Sequence, residues 1–148
     1  MVFEIPLLDG RVVYMQGEES EFESIVFVSA SKFFSIWHDS QKLDQVVTAQ
    51  KYPRAESAFL ESKKYPVPIV SAGIFDYDQK GCMQVKLTDG ITRTSWLIDN
   101  KAQSFPLACP RSQVGIFERE LSTSSPHVAS QLHLLEGKGR GKLSNPSI

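Results

Sequence analysis

The stretch from Thr88 to Pro106, TDGITRTSWLIDNKAQSFP, decides the fold. Asp89-Gly90 ends the alternating run before it, and Ile91 to Asn100 then read as a helix. Phe105 to Ala108 follow as a short strand, opened by Pro106. Proline has no N–H to give a ladder, so it suits an edge or the start of a strand. A junction of this kind can carry chemistry. Glycine lets the chain turn tightly and lets a ligand approach the backbone. The first-turn amides of the helix have no partners within it and favour an anion. Arg93 lies on that turn, where a guanidinium can clamp a phosphate through two parallel hydrogen bonds. Thr92 and Thr94 add hydroxyls, and Asp89 is placed to hold Arg93 or to meet a metal or ribose. Taken alone, Asp-Gly is also an ordinary turn and Asp an ordinary helix cap, so the local motif by itself favours a structural role.

Upstream, Pro66 to Tyr77 (PVPIVSAGIFDY) is extended, because its prolines oppose helix and its β-branched run favours strand. Asp78 to Gly81 is a turn, and Cys82 to Leu87 alternates as the returning arm of a hairpin. Pro53 suits the first turn of an amphipathic helix that runs through Ala55, Ala58 and Phe59 to Lys63. Lys51, Arg54, Lys63 and Lys64 make that helix basic at both ends, a surface for an acidic patch on a partner or for DNA, though ordinarily a solvated face. Gln41 to Lys51 is compatible with a strand or a turn. Ser29 or Ser31 caps a short apolar helix bearing Phe33, Phe34, Ile36 and Trp37, with His38 at its end placed to cap carbonyls. Ser24 to Val28 is a buried strand. Phe3 to Leu8 and Arg11 to Met15 form a hairpin about Asp9-Gly10, read as a two-residue turn, and Gly17 to Ser20 is a polar loop.

Downstream the pattern fades. From residue 121 Ser, Gly, Pro and Lys dominate, which predicts one domain over 1–120 and a flexible tail over 121–148, with at most a weak helical turn or two at Val128 to Leu135. His127, His133 and the basic triplet Lys138, Arg140 and Lys142 fall in that tail. The chain has 148 residues, 41% hydrophobic and 22% charged, enough for one ordinary core. Its net charge of −1 gives no bulk attraction to nucleic acid or membrane. No apolar run approaches the roughly 20 residues of a membrane span. Cys82 and Cys109 lack metal-ligand spacing and read as reduced thiols, pointing to the cytoplasm. The acidic pair Asp76 and Asp78 has no evident third ligand, so no metal is expected. Trp96, one turn beyond Arg93, reads as a core residue or, if exposed, a partner contact.

The larger pattern of Val67-Pro68-Ile69-Val70, then Asp89-Gly90-Ile91-Thr92-Arg93, then Phe105-Pro106-Leu107 resembles the ParB/sulfiredoxin-like superfamily. Two longer segments, YPRAESAFLESKKYPVPIV (Tyr52 to Val70) and DGITRTSWLIDNKAQSFPLAC (Asp89 to Cys109), are similar to the plasmid fertility inhibition factor family. The chain departs from that family at Leu60, where Gly is frequent, at Tyr65 in place of Asn, and at Lys101 in place of a helix-ending Gly. The resemblance implies an α/β single domain with a mixed sheet and two or three main helices. It also implies a plasmid-borne protein that blocks conjugative export of a co-resident plasmid by binding the type IV secretion machinery, in particular its coupling ATPase or else another component.

The superfamily also hosts nucleotide chemistry. ParB-type proteins bind CTP at this junction through two adjacent arginines, whereas Arg93 is followed by Thr94. Sulfiredoxins carry a reactive cysteine two residues before the arginine, where this chain has Ile91. The leading expectation is therefore a non-enzymatic inhibitor with no cofactor. A nucleotide-dependent DNA-acting protein is the alternative. Asp89, Gly90, Thr92, Arg93, Thr94 and Trp96 are the candidate phosphate- or partner-binding residues.

Overall fold

The computed structural model describes residues 1–42 and 45–122. Two mixed sheets form its centre. The first, ordered β1-β2-β4, joins β1 (Val2–Pro6), β2 (Val12–Gln16) and β4 (Val67–Pro68). The second, ordered β3-β7-β5-β6, joins β3 (Glu23–Ser29), β7 (Ser104–Pro110), β5 (Val70–Tyr77) and β6 (Met83–Asp89). In each sheet one pair is parallel, β2 with β4 and β5 with β7, and the other pairs are antiparallel. The helices are α1 (Ala30–Ile36), α2 (Asp39–Lys42), α3 (Gln45–Leu60), α4 (Ile91–Asp99) and α5 (Val114–Leu121). A mixed α/β single domain is thus observed, built on two sheets.

Local chemistry explains most elements. The first hairpin closes with Leu7 N–H on the Arg11 carbonyl at 2.8 Å and Gly10 N–H on the Leu7 carbonyl at 3.1 Å. This is a three-residue loop ending in a left-handed glycine, not the two-residue turn expected. The hairpin between β5 and β6 repeats the design, with Gly81 in the place of Gly10. The Ser29 hydroxyl caps α1 by accepting from Lys32 N–H at 3.3 Å. Phe33 from α1 packs edge-on against Phe105 of β7 at 5.6 Å. The α3–α4 contact centres on Phe59 and Trp96, stacked at 4.4 Å between ring centroids. Ser62 ties the end of α3 to β2 by accepting from Tyr14 N–H and donating to the Phe59 carbonyl.

Four expectations are corrected. Pro53 lies inside α3 rather than on its first turn, because the helix begins at Gln45, in the stretch read as strand or turn. Proline costs an interior helix about 3 kcal/mol. Burial of Ala55 and Phe59 and the Tyr52 bond to Asp99 offset that cost. The Pro66 to Tyr77 segment is two strands in different sheets, since β4 pairs only over Val67 and Pro68 before the chain crosses to β5. The strand carrying Pro106 is central rather than an edge, and Ser104 to Cys109 are all buried. It tolerates proline because its ladder with β5 starts at Leu107, one residue later. His38 acts at the start of α2 rather than the end of α1, its Nδ1 accepting from Ser40 N–H at 3.1 Å.

The end of the chain brings α5, a helix the sequence reading omitted. It buries Phe117 and Leu121, and Ser122 bridges to Val28. The expected tail therefore begins with two residues that belong to the fold. The rest of it, with His127, His133, Lys138, Arg140, Lys142 and Val128 to Leu135, lies outside the described residues. At the other margin, Gln41 covers the outer edge of β6. Its Nε2 donates to the Leu87 carbonyl at 3.0 Å and its Oε1 accepts from Leu87 N–H at 2.8 Å, so the edge is closed to strand addition there.

Candidate functional site

The site is built where β6 gives way to α4. Gly90 has φ 104° and ψ 28° and caps α4 with no side-chain bond. The helix's first bond runs from Thr94 N–H to the Gly90 carbonyl at 2.9 Å. The amides of Ile91, Thr92 and Arg93 therefore have no partner within the helix. Any Cβ at position 90 would stand 2.3 Å from Val70 Cγ1 and 2.7 Å from Val70 Cβ. Glycine is thus required twice, by the left-handed backbone and by the close approach of β5.

Arg93 is already engaged. One terminal nitrogen pairs with Asp89 Oδ2 at 2.9 Å, and the other donates to the Pro68 and Ile69 carbonyls. Its side chain is 18% exposed against 71% for Asp89. The guanidinium therefore acts as a staple between the α4 terminus and the link from β4 to β5. The expected phosphate clamp would have to break these bonds. Asp89 is the outer member of the pair, reaching solvent at the rim.

Beside this staple lies a cleft of about 460 Å³. Its walls are Lys51, Arg54, Ala55 and Ala58 of α3, Val67 and Pro68 of β4, and Leu87 to Arg93. The four α3 residues stand at i, i+3, i+4 and i+7, one face of the helix. Lys51 and Arg54 are exposed on its lip, whereas Ala55 is buried. Of the candidates, Asp89, Gly90, Thr92 and Arg93 are brought together here. Thr94 and Trp96 are not: both are buried under α4, with the Thr94 hydroxyl and Trp96 Nε1 lacking partners among the described residues. Trp96 is a core residue under Phe59 and is not exposed for a partner.

The sequence marks Lys51 and Arg54 as a basic helix end that could meet an acidic patch on a partner or DNA, but it does not place them beside the Asp89-Gly90 junction. Their spacing with Ala55 and Ala58 was the available signal. It needed a helix start before Pro53 to become visible. Lys63 and Lys64 lie in the turn after α3 and are exposed.

Elsewhere the chemistry is structural. Asp78 Oδ1 accepts from Lys80 and Cys82 N–H, and Asp76 Oδ1 from Tyr77 N–H, so this acidic pair shapes a turn. No group of metal-ligating side chains occurs among the described residues. Cys82 is exposed and Cys109 buried, both free. Burial pushes the Cys109 thiol up to about 12, with Glu118 and Glu23 adding to the shift. Burial, with Asp99 and Glu56 nearby, likewise raises the Tyr52 phenol to about 12. Neither group lines the cleft. The cleft therefore offers positive charge, free amides, two threonine hydroxyls and an apolar floor. These can bind an anionic group, and the lining includes no histidine or thiol for proton transfer or attack.

No helix among the described residues is long and apolar enough to cross a membrane. The sequence signature of the plasmid fertility inhibition factor family matches residues 25–120. No curated protein matches at the level of sequence. Among solved structures, the chain is similar to the oncogenic suppression activity protein, described as a plasmid fertility inhibition factor, in its gold(I) cyanide derivative. The identity is 23%, the TM-score 0.72, and the match covers 96% of this chain and 78% of that one. That likeness concerns the fold, and it agrees with the mixed α/β single domain expected from the sequence.

Proposed function

As the chain belongs to the plasmid fertility inhibition factor family, we propose that it blocks conjugative DNA transfer of a co-resident plasmid by binding the coupling ATPase of a type IV secretion system. It works by recognition rather than turnover. The observation that supports this is the state of Arg93, which is held by Asp89 and two backbone carbonyls and is not held ready for a phosphate. The two free cysteines accord with action in the cytoplasm. The test is a mating assay in donors that carry a conjugative plasmid and express this chain. Transfer is expected to fall while growth is unchanged, and the coupling ATPase is expected to co-purify with the chain. Normal transfer frequency would remove the assignment.

A second reading, a nucleotide-dependent DNA-processing protein, is favoured by one observation. The same cleft joins the free amides of α4 to Lys51 and Arg54, a combination suited to a phosphate. ATP or CTP hydrolysis, or nuclease activity, that disappears in Arg54→Ala would establish this reading over the first. Activity unchanged in both Arg54→Ala and Arg93→Ala would place the turnover outside this cleft.

A further inference from the structure

We propose that the cleft between α3 and the Asp89-Gly90 junction receives a short acidic segment of a protein partner, in which carboxylates alternate with small apolar side chains. The proposal deepens the leading reading above and rests on it, since it names the surface and chemistry by which an inhibitor of this kind would hold its target.

Shape sets the length of the segment. The α3 wall runs from Lys51 to Ala58, a rise of about 10 Å at 1.5 Å per residue. That matches roughly three residues of an extended chain at about 3.3 Å each. A cleft of about 460 Å³ is in the range that small ligands and peptide side chains fill.

Charge sets its sign. Lys51 and Arg54 are exposed, one helical turn apart, and neither is in an ion pair among the described residues. Facing them, the first-turn amides of α4 have no helical partner. Thr92, only 9% exposed, lines the same wall, and its hydroxyl makes no hydrogen bond among the described residues. Arg54 can fork onto a carboxylate while the α4 amides receive a second.

The floor sets the rest. Ala55, Val67 and Leu87 are apolar and buried, and they suit a small aliphatic side chain between two acids. Nucleic acid fits less well. The chain's net charge is −1, the Asp89 carboxylate stands at the rim, and the lining holds no aromatic ring on which a base could stack. Strand addition is also closed, because Arg93 occupies the Pro68 and Ile69 carbonyls. The segment is therefore gripped through its side chains.

The experiment measures fluorescence polarisation of a short fluorescein-labelled peptide alternating glutamate and valine, titrated with the full chain. The expected result is saturable binding that weakens with added salt and falls at least about tenfold in Lys51→Glu/Arg54→Glu. Ala58→Trp, which fills the cleft from an exposed position without adding charge, is expected to do the same. Circular dichroism checks that both variants keep the fold. Equal binding of a peptide alternating lysine and valine overturns the proposal, as does displacement of the acidic peptide by CTP, ATP or a single-stranded oligonucleotide. Both variants then enter the mating assay. If they lose peptide binding yet still block transfer, the cleft is not the contact surface, and the fertility-inhibition reading survives. If the wild-type chain binds the peptide but leaves transfer normal, the cleft chemistry is upheld and the proposed function fails.

Discussion

Two Asp-Gly dipeptides turn the chain, Asp9-Gly10 and Asp89-Gly90, and they are alike only at the backbone. Gly10 has φ 97° and Gly90 φ 104°, so each occupies the left-handed region. Each aspartate pairs with a following arginine, Asp9 with Arg11 at 2.7 Å and Asp89 with Arg93 at 2.9 Å. The surroundings differ. A Cβ on Gly10 would meet nothing within 4 Å, whereas one on Gly90 would strike Val70. Arg11 stays half exposed and reaches a side chain, Asn100 Oδ1 at 2.7 Å, whereas Arg93 reaches inward to the carbonyls of Pro68 and Ile69. The same dipeptide thus makes a replaceable loop in one place and a packed joint in the other. Local sequence specifies the turn, and tertiary contact decides what the turn is for.

The contrast is open to attack at its strongest point first. Gly90→Ala adds left-handed strain of about 1–2 kcal/mol to a steric clash of about 1–3 kcal/mol, and is expected to cost about 2–5 kcal/mol in denaturant unfolding. Asparagine tolerates the left-handed region but carries a Cβ, so Gly90→Asn is expected to fare no better, while Gly10→Asn is expected to be nearly silent. Equal losses at both positions would erase the distinction. Next in size is Arg93→Ala, which leaves two carbonyls without their donor and is expected to cost about 1–3 kcal/mol. Arg93→Lys keeps the charge but not the fork and is expected to fall between, by the same unfolding measurement. A loss of nucleotide turnover with stability unchanged would instead make Arg93 a ligand-binding group.

The contrast also separates what could be read in the sequence from what could not. Both glycines, both hairpins and the run from β6 through α4 to β7 were legible, because turn residues and short alternating runs are local signals. Pro53 misled, because proline is a helix-start signal on its own, while Phe59 and Trp96 hold α3 together across it from a distant part of the chain. Pro106 misled in the same way. It reads as an edge or strand-start residue, yet it is the third residue of a central strand, paired with β3 just before the ladder to β5 begins. Helix α5 went unread for lack of a cap, as Gln113 offers no side-chain bond to its start. At the site, Asp89, Gly90, Thr92 and Arg93 were found because they are contiguous. Lys51 and Arg54 join them only through the packing of α3 on α4, which no local pattern encodes.

Smaller effects sharpen the surface side of the comparison. Gly10→Ala meets no neighbour, so only the backbone preference remains, partly offset by the lower entropy of the unfolded alanine chain. The expected cost is about 1 kcal/mol. A loss as large as that of Gly90→Ala would mean that the bond from Leu8 N–H to the Lys101 carbonyl, at 3.2 Å, holds this loop as firmly as Val70 holds Gly90.

The smallest effect is expected at Asp9, and its sign follows from its bonds. Asp9 Oδ1 accepts from Arg11 N–H at 2.9 Å and Oδ2 from Arg11 Nε at 2.7 Å. The backbone bond from Arg11 is the main cause holding this carboxyl below its ordinary value of 3.8, with the Arg11 side chain assisting. A carboxyl lowered in the folded state adds stability above the unfolded value and loses it as pH falls through the lower folded value. Asp9→Asn is therefore expected to leave the chain's acid unfolding slightly less steep below pH 4 and its stability near neutral pH almost unchanged. The group is fully exposed, so solvent screens the pair and the shift is expected to shrink further in added salt. A variant that unfolds more readily at neutral pH, whatever the salt, would show that the carboxylate at this loop carries packing of its own. The first Asp-Gly would then be a second joint rather than a free turn.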